Sequence, residues 1–151
     1  MSVPVLAPLP GTVHALADVP DQVFAGQLVG SGVAVDPDRT RGPLTVTAPI
    51  AGKILKLHPH AFVILGNGVG VLVHLGIDTV KLQGKGFDLL AAEKDEVTAG
   101  TPIVTWDLTN LDGTDYAPIC PVVVMDSKKD SIHPSTLGTT VESGTPLFDT
   151  P

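Results

Sequence analysis

The stretch HAFVILGNGVGVLVHL, residues 60–75, decides the fold. Two apolar runs flank Gly66-Asn67-Gly68, and such runs on either side of a glycine-rich turn are typical of a β-hairpin. Centring the turn on Asn67 predicts three facing pairs: His60 with His74, Phe62 with Leu72 and Ile64 with Gly70. We therefore expect two imidazoles to meet across neighbouring strands, where one can act on a group that the other holds.

The composition around this hairpin predicts an all-β chain. Glycine and proline contribute 16 and 14 of the 151 residues. Both residues disfavour helix interiors, so long helices are not expected. Short apolar segments recur at intervals typical of a sandwich or closed barrel. We predict strands near residues 3–7, 12–16, 28–35, 44–48, 52–57, 61–65, 70–74, 103–107, 121–125 and 145–148. The expected architecture is one domain, residues 1–151, folded as an antiparallel β-sandwich or barrel-like structure with little helix.

The chain also repeats itself faintly. Residues 7–13 (APLPGTV) resemble residues 48–54 (APIAGKI), and residues 97–103 (VTAGTPI) resemble residues 141–147 (VESGTPL). In each unit a glycine suits a turn and a proline lies within three residues of it. The pattern predicts internally duplicated strand-turn units.

Charge and cysteine content limit the possible partners and the compartment. A net charge of −7 argues against nucleic acid as a partner, because no basic stripe is available to displace counterions from phosphates. The single cysteine, Cys120, excludes an internal disulfide and fits a reducing compartment, where we interpret it as a buried apolar residue. The N-terminal residues lack the pattern of a signal peptide, and the uncharged run 57–77 suits a buried hairpin better than a membrane span. We expect a cytoplasmic protein with no direct membrane insertion.

The run Val73-His74-Leu75-Gly76-Ile77-Asp78-Thr79-Val80 is the most specific motif of the chain. It resembles the signature around the phosphorylated histidine of the glucose-type enzyme IIA of the bacterial sugar phosphotransferase system. The resemblance extends over nearly the whole chain, through residues 7–11, 18–25, 29–34, 48–49, 60–62, 84–87, 97–102 and 121–123. It implies a cytosolic β-sandwich that accepts a phosphoryl group from the carrier HPr and passes it to the IIB component of a glucose- or N-acetylglucosamine-type permease.

The same resemblance implies roles for individual residues. His74 would accept the phosphoryl group, His60 would stabilise that group by donating an N–H to it, and the backbone carbonyl of Gly76 would orient His74. A neutral imidazole is a competent nucleophile near neutral pH, and phosphoryl transfer depends mainly on positioning and charge stabilisation, so no cofactor is required. His58 stands where the family usually has a threonine that orients the second histidine, and it either contacts His60 or faces away.

The resemblance also implies a docking surface for the partner proteins. Apolar residues would surround the histidines and exclude water: Val23, Phe24, Leu28, Val29, Phe62 and Val80. Acidic residues at the rim, Asp21, Asp78 and Asp126, would pair with the basic face of HPr. Lys81 occupies a position where an acidic residue is common, and we expect it to alter the association rate more than the affinity.

Two alternative functions are compatible with parts of the sequence. His14 and Asp18 have H-x-x-x-D spacing and His58-Pro59-His60 has H-x-H spacing, so a zinc hydrolase of the lysostaphin type could use His14, Asp18 and His60. A weaker form of this hypothesis is incidental zinc capture by His60 and His74. A lipoyl- or biotinyl-type carrier would need a lysine at a hairpin tip, and the tip at residues 66–70 has none.

Overall fold

The computed structural model describes residues 3–38, 40 and 42–151, and these residues form an almost entirely antiparallel β structure. The thirteen strands are β1 Pro4–Leu6, β2 Gly11–Ala15, β3 Gly30–Asp36, β4 Pro43–Thr47, β5 Gly52–His58, β6 Ala61–Gly66, β7 Val69–His74, β8 Phe87–Leu89, β9 Glu96–Val97, β10 Pro102–Asp107, β11 Cys120–Met125, β12 Thr140–Val141 and β13 Pro146–Asp149. The helical elements are α1, Gln22–Ala25, and three 3-10 turns at Leu16–Asp18, Thr79–Leu82 and Leu108–Leu111. Every predicted strand is present. The strands β8, β9 and β12 were not predicted, because two or three residues are too few to show a periodic pattern.

The strands pair into three sheets. The largest has eight strands in the order β12-β2-β3-β11-β7-β6-β5-β9. A three-stranded sheet, β4-β10-β8, and a ribbon of β1 and β13 complete the structure. Buried side chains from all three sheets, including Trp106, Phe62 and Leu147, form the main hydrophobic core. The predicted β-sandwich or barrel-like class with little helix is confirmed.

The sequence repeats correspond to equivalent pairings near the two edges of the large sheet. Strand β12 pairs with β2 on one side, and β9 pairs with β5 on the other. The equivalent residue pairs are Gly11 with Val141 and Gly52 with Val97. Two further equivalent contacts are the backbone hydrogen bonds of 2.9 Å from Gly144 to Ala7 and from Gly100 to Ala48. The predicted duplication is therefore a feature of the fold.

The central hairpin forms as predicted, but its register differs by one residue. Asn67 and Gly68 both have positive φ, 51° and 79°, which is the geometry of a two-residue type I′ turn. This turn pairs Gly66 with Val69 and Ala61 with His74, so His60 falls level with Leu75 just outside β6. The expected pairs His60 with His74, Phe62 with Leu72 and Ile64 with Gly70 were wrong, because a turn centred on one residue has a different parity from a turn of two.

The register decides which hairpin residues face the core. Phe62, Val71 and Val73 belong to the main core. His74 and Leu72 share the opposite face. There a smaller apolar cluster is formed by Leu16, Val19, Phe24, Ala34, Ile77, Ile119 and Val123, with Val29, Leu72 and Ala117 packed against it. We call this side of the large sheet the histidine face.

Candidate functional site

His74, the last residue of β7, has a defined orientation. Its Nδ1 lies 2.5 Å from the carbonyl oxygen of Gly76. A carbonyl oxygen only accepts, so Nδ1 carries the proton and donates, and Nε2 of the neutral ring keeps its lone pair. The ring of Phe24 packs against the imidazole with a centroid distance of 5.2 Å. His74 is therefore a half-buried imidazole with a free Nε2.

His60 reaches the same place from the short turn between β5 and β6. Its ring centroid lies 5.3 Å from that of His74, with the planes inclined by 72°. Its backbone carbonyl accepts a hydrogen bond of 2.7 Å from the N–H of Leu75. The two imidazoles meet as predicted, although they do not occupy facing strand positions.

His58, at the end of β5, contacts His60 by stacking. The two ring centroids are 5.8 Å apart and the planes are inclined by 23°. A near-parallel stack does not aim an N–H of one ring at a nitrogen of the other. His58 therefore lies beside His60, and its contact differs in kind from the hydrogen bond that a threonine hydroxyl can make.

Burial keeps both central histidines neutral. The pKa of His74 is lowered from its ordinary value of 6.5 chiefly by burial, while the hydrogen bond to Gly76 and the carboxylates of Asp21 and Asp78 oppose that change. The pKa of His60 is lowered chiefly by burial and then by the charges of His74 and His58. Both rings can therefore act near pH 7 without first losing a proton.

The turn after His74 is tightly enclosed. Gly76 has a φ of 79°, and a Cβ at this position would lie 2.6 Å from Thr79 Cγ2, 2.7 Å from the oxygen of Ala117 and 3.4 Å from the ring of Trp106. The Ile77 N–H donates to the Ala117 carbonyl at 2.8 Å. The carbonyl that orients His74 is thus held by a closely packed backbone.

The six apolar residues predicted for the docking surface have three different environments. Val23, Leu28 and Val80 are large apolar side chains with exposed fractions of 46%, 77% and 55%. Phe24 and Val29 pack in the cluster on the histidine face. Phe62 is 1% exposed and lies in the main core, so its assignment to a docking surface was wrong. That assignment came from the family resemblance, and the observed register turns the Phe62 side chain to the core instead.

The predicted acidic residues are held by local structure. Asp21 caps α1 by accepting from the N–H groups of Val23 and Phe24 at 2.8 and 3.4 Å. Asp78 forms an exposed ion pair of 3.9 Å with Lys81. The N–H of Asp126 donates to the carbonyl of Val29 at 3.0 Å, which places Asp126 beside the docking residues.

The zinc-hydrolase set is not assembled. His14 lies on β2, and β3, β11 and β7 separate that strand from β6, next to which His60 lies. Four strand spacings amount to roughly 19 Å, too far for shared metal ligation. His14 instead lies near Asp18 and Asp36, at 3.7 and 4.0 Å. Among residues 3–38, 40 and 42–151, no group of three His, Cys, Asp or Glu side chains is placed to hold a metal ion.

Cys120 is a buried apolar residue, as expected. Its side chain is fully buried, and its thiol donates to the carbonyl of Pro118 at 3.1 Å. Burial raises the pKa of the Cys120 thiol well above its usual range. A thiol of this kind is not a nucleophile near neutral pH.

Three structural contributors to the site were not predicted. Leu72 lies on the histidine face, as its position two residues before His74 on one strand requires, but no sequence pattern assigned it a role there. Thr79 belongs to the motif at residues 73–80, but the motif by itself indicates no role for its side chain. Trp106 lies far away in sequence, and no local pattern links it to Gly76.

Comparisons with known proteins identify the family of the chain. The profile of the family described as phosphoenolpyruvate-dependent sugar phosphotransferase system, EIIA 1, matches residues 3–130. The chain belongs to this family. It is an EIIA component, a phosphotransferase protein whose partners are HPr and the IIB and IIC components of a sugar permease.

Individual relatives cover almost all of this EIIA chain. The glucose-specific EIIA component of Bacillus anthracis is 36% identical over 93% of the chain and 84% of its own length. The N-acetylglucosamine-specific EIICBA component of Klebsiella pneumoniae is 40% identical over 95% of the chain, which corresponds to 22% of that longer protein. The solved structure of glucose permease IIA from Mycoplasma capricolum superposes with a TM-score of 0.86 at 31% identity, covering 99% of this chain and 96% of that one.

No helix in the described part of this EIIA component is long and apolar enough to cross a membrane.

Proposed function

We propose that His74 carries the phosphoryl group and that Nε2 is the atom that binds it. The observation that carries the proposal is the hydrogen bond from Nδ1 to Gly76, because it leaves the Nε2 lone pair free. That lone pair attacks phosphorus on phospho-HPr, the bond to HPr breaks, and HPr takes the electron pair of that bond. Transfer to IIB reverses these steps with a new acceptor.

His60 is the group that stabilises the phosphoryl on His74. The rings of His60 and His74 meet at a steep angle of 72° with a centroid distance of 5.3 Å. An N–H of His60 can donate to a phosphoryl oxygen bound at Nε2, and a donor positioned in advance stabilises charge at little cost of reorganisation. Neutral rings suit both roles, since a protonated His74 could not attack.

The exposed apolar residues Val23, Leu28 and Val80 form the centre of the surface that HPr and IIB contact. Val23 precedes Phe24, whose ring packs against His74, and the Leu28 N–H donates to the Val23 carbonyl at 3.0 Å. Val80 belongs to the turn after His74, and the carboxylates of Asp21 and Asp78 act on the pKa of His74. With Asp126, these carboxylates form the charged edge of an apolar centre, an arrangement typical of transient interfaces. The acidic rim attracts a basic partner and raises the association rate.

Phosphoryl transfer on His74 takes place in the cytoplasm.

This chemistry needs no bound cofactor. His60 and His74 together offer two imidazole ligands, whereas zinc in a protein site takes four ligands. Zinc captured at this pair would need further ligands from water or from a partner protein, and it would be incidental to phosphoryl transfer.

The first test compares histidine variants in both half-reactions. Wild type incubated with phosphoenolpyruvate, enzyme I and HPr should gain one acid-labile phosphate by intact mass, and His74→Gln should gain none. His60→Gln should still accept phosphate but fail to pass it to IIB domains of the glucose or N-acetylglucosamine type. His14→Gln, which alters a histidine three strands away from β7, is the matched control and should behave as wild type.

Two results would overturn these assignments. Normal labelling of His74→Gln would exclude His74 as the acceptor. Equal losses in both half-reactions for His60→Gln would assign His60 to positioning of the acceptor rather than to donation.

A further inference from the structure

The side chain of Thr79 is the buried polar group closest in sequence to the histidine pair. Within the described residues, the buried polar or charged side chains are Ser31, Thr79 and Thr150. Thr79 is fully buried, and its hydroxyl donates to the carbonyl of Leu75 at 2.6 Å. Buried polar side chains are normally hydrogen-bonded, and here the hydrogen bond restrains a backbone carbonyl.

The carbonyl that accepts from Thr79 belongs to Leu75, which is linked to both histidines. Leu75 follows His74 directly, and its N–H donates to the carbonyl of His60 at 2.7 Å. Its own carbonyl accepts from Thr79. Leu75 therefore ties the backbone of His60, the acceptor histidine and the threonine hydroxyl into one hydrogen-bonded unit.

The methyl group of Thr79 restrains the next residue. A Cβ on Gly76 would lie 2.6 Å from Thr79 Cγ2, so the methyl packs directly against the Gly76 backbone. The Ala117 carbonyl closes the other side, at 2.7 Å from the same point. The hydroxyl thus fixes the peptide between Leu75 and Gly76, which directly precedes the peptide whose carbonyl accepts from His74 Nδ1.

We propose that Thr79 is a positioning residue that fixes the tautomer of His74 through the turn at residues 75–76. The inference rests on the proposed role of His74 as phosphoacceptor. Without the hydroxyl, the Leu75 carbonyl loses its partner in an apolar environment and the turn relaxes to recover one. The Gly76 carbonyl then holds Nδ1–H less firmly, and the ring gains access to the tautomer that protonates Nε2. In that tautomer Nε2 has no lone pair for attack.

The test uses an isosteric pair of variants. Thr79→Val keeps the shape and removes the hydroxyl, whereas Thr79→Ser keeps the hydroxyl. Thr150→Val is the matched control, because Thr150 is a buried threonine whose hydroxyl accepts from Val3 next to the β1–β13 ribbon, outside the large sheet. Each protein is measured for the ¹⁵N chemical shifts of His74 and for the rate of phosphoryl acceptance from HPr.

Thr79→Val should show ¹⁵N shifts of a mixed tautomer at His74 and about a tenfold lower acceptance rate, as is seen when an outer hydrogen-bond partner of a metal-binding histidine is removed. Thr79→Ser should restore both readouts. Thr150→Val should leave both unchanged even if it lowers stability.

Three outcomes would overturn the inference: unchanged shifts and rate in Thr79→Val, equal losses in Thr79→Val and Thr150→Val, or failure of Thr79→Ser to recover either readout. The tautomer measurement needs no phosphate on the protein. If wild type proved not to be phosphorylated on His74, the proposed function would fail. The ¹⁵N chemical shifts would still report whether Thr79 determines the tautomer of His74.

Discussion

Gly76 shows at the scale of one residue why the site tolerates so little change. Gly68 and Gly76 both have a φ of 79°, a conformation that L side chains rarely adopt. A Cβ on Gly68 would meet nothing within 4 Å, whereas one on Gly76 would overlap Thr79 and Ala117. The two glycines share a backbone conformation and differ in free space and in distance from His74.

Gly76→Ala should therefore cost much more than Gly68→Ala. Both should lose about 1 kcal/mol of unfolding free energy because alanine is strained at positive φ. Gly76→Ala should lose roughly 1–3 kcal/mol more from overpacking, together with most phosphoryl acceptance. Urea denaturation and the labelling assay measure the two effects. Similar stability losses in both variants would show that the packing around Gly76 yields easily.

The pH dependence of acceptance follows from the lowered pKa values of the two histidines. His74 and His60 titrate below their ordinary 6.5, so both rings are neutral at pH 7. The acceptance rate should stay flat from about pH 8 to about pH 6.5 and fall only at lower pH, as His74 gains a proton that blocks Nε2.

A matched variant tests the cause of this pH profile. The Asp78 carboxylate raises the pKa of His74, and Asp78→Asn removes that charge while asparagine tolerates the φ of 65° found there. The acid limb of the rate profile should therefore shift to lower pH in Asp78→Asn. An unchanged limb would contradict an electrostatic contribution from this carboxylate.

At the scale of elements, the segment around α1 brings an apolar surface to the histidine. Asp21 caps a four-residue helix, and that short helix carries Phe24 to the ring of His74. The chain after the helix leaves Leu28 77% exposed, more than any other large apolar residue described. An exposed leucine on the segment whose Phe24 packs against His74 is costly to solubility and is consistent with contact by a partner.

Leu28→Ser should weaken the complex with HPr without destabilising the protein. Loss of a central apolar contact typically costs about 1–2 kcal/mol, or roughly tenfold in affinity. Leu89→Ser, on the separate three-stranded sheet, replaces another exposed leucine and is the control. Calorimetric titration with HPr measures the affinities. Equal effects of the two substitutions would indicate that Leu28 lies outside the interface.

The hairpin marks the limit of prediction for single elements. Its two strands and its turn follow from the sequence, because apolar runs and Gly66-Asn67-Gly68 leave few alternatives. The register of the hairpin does not follow from the sequence. Residues 61–65 and 69–73 are apolar throughout apart from Gly70, so a shift of one residue still pairs apolar with apolar positions. The turn dihedrals of Asn67 and Gly68 decide it.

At the scale of the whole molecule, duplication and sheet order create the histidine face. The repeated units occupy equivalent positions near the two edges of the eight-stranded sheet, and β7 and β11 lie at its centre. This arrangement places His74 on a central strand, with neighbours on both sides to support it. It also separates His14 from His60, although both belong to suggestive motifs in the sequence.

The sequence by itself determined the β class, ten of the thirteen strand segments, the duplication and the two histidines at the centre of the candidate site. These properties depend on local composition, turn residues and a long specific motif, all of which are properties of the chain. The tertiary structure decided the register of the hairpin, the burial of Phe62 and the contacts of Thr79 and Trp106 around Gly76. These features arise from packing between segments far apart in the chain, and packing depends on distances that no local pattern encodes.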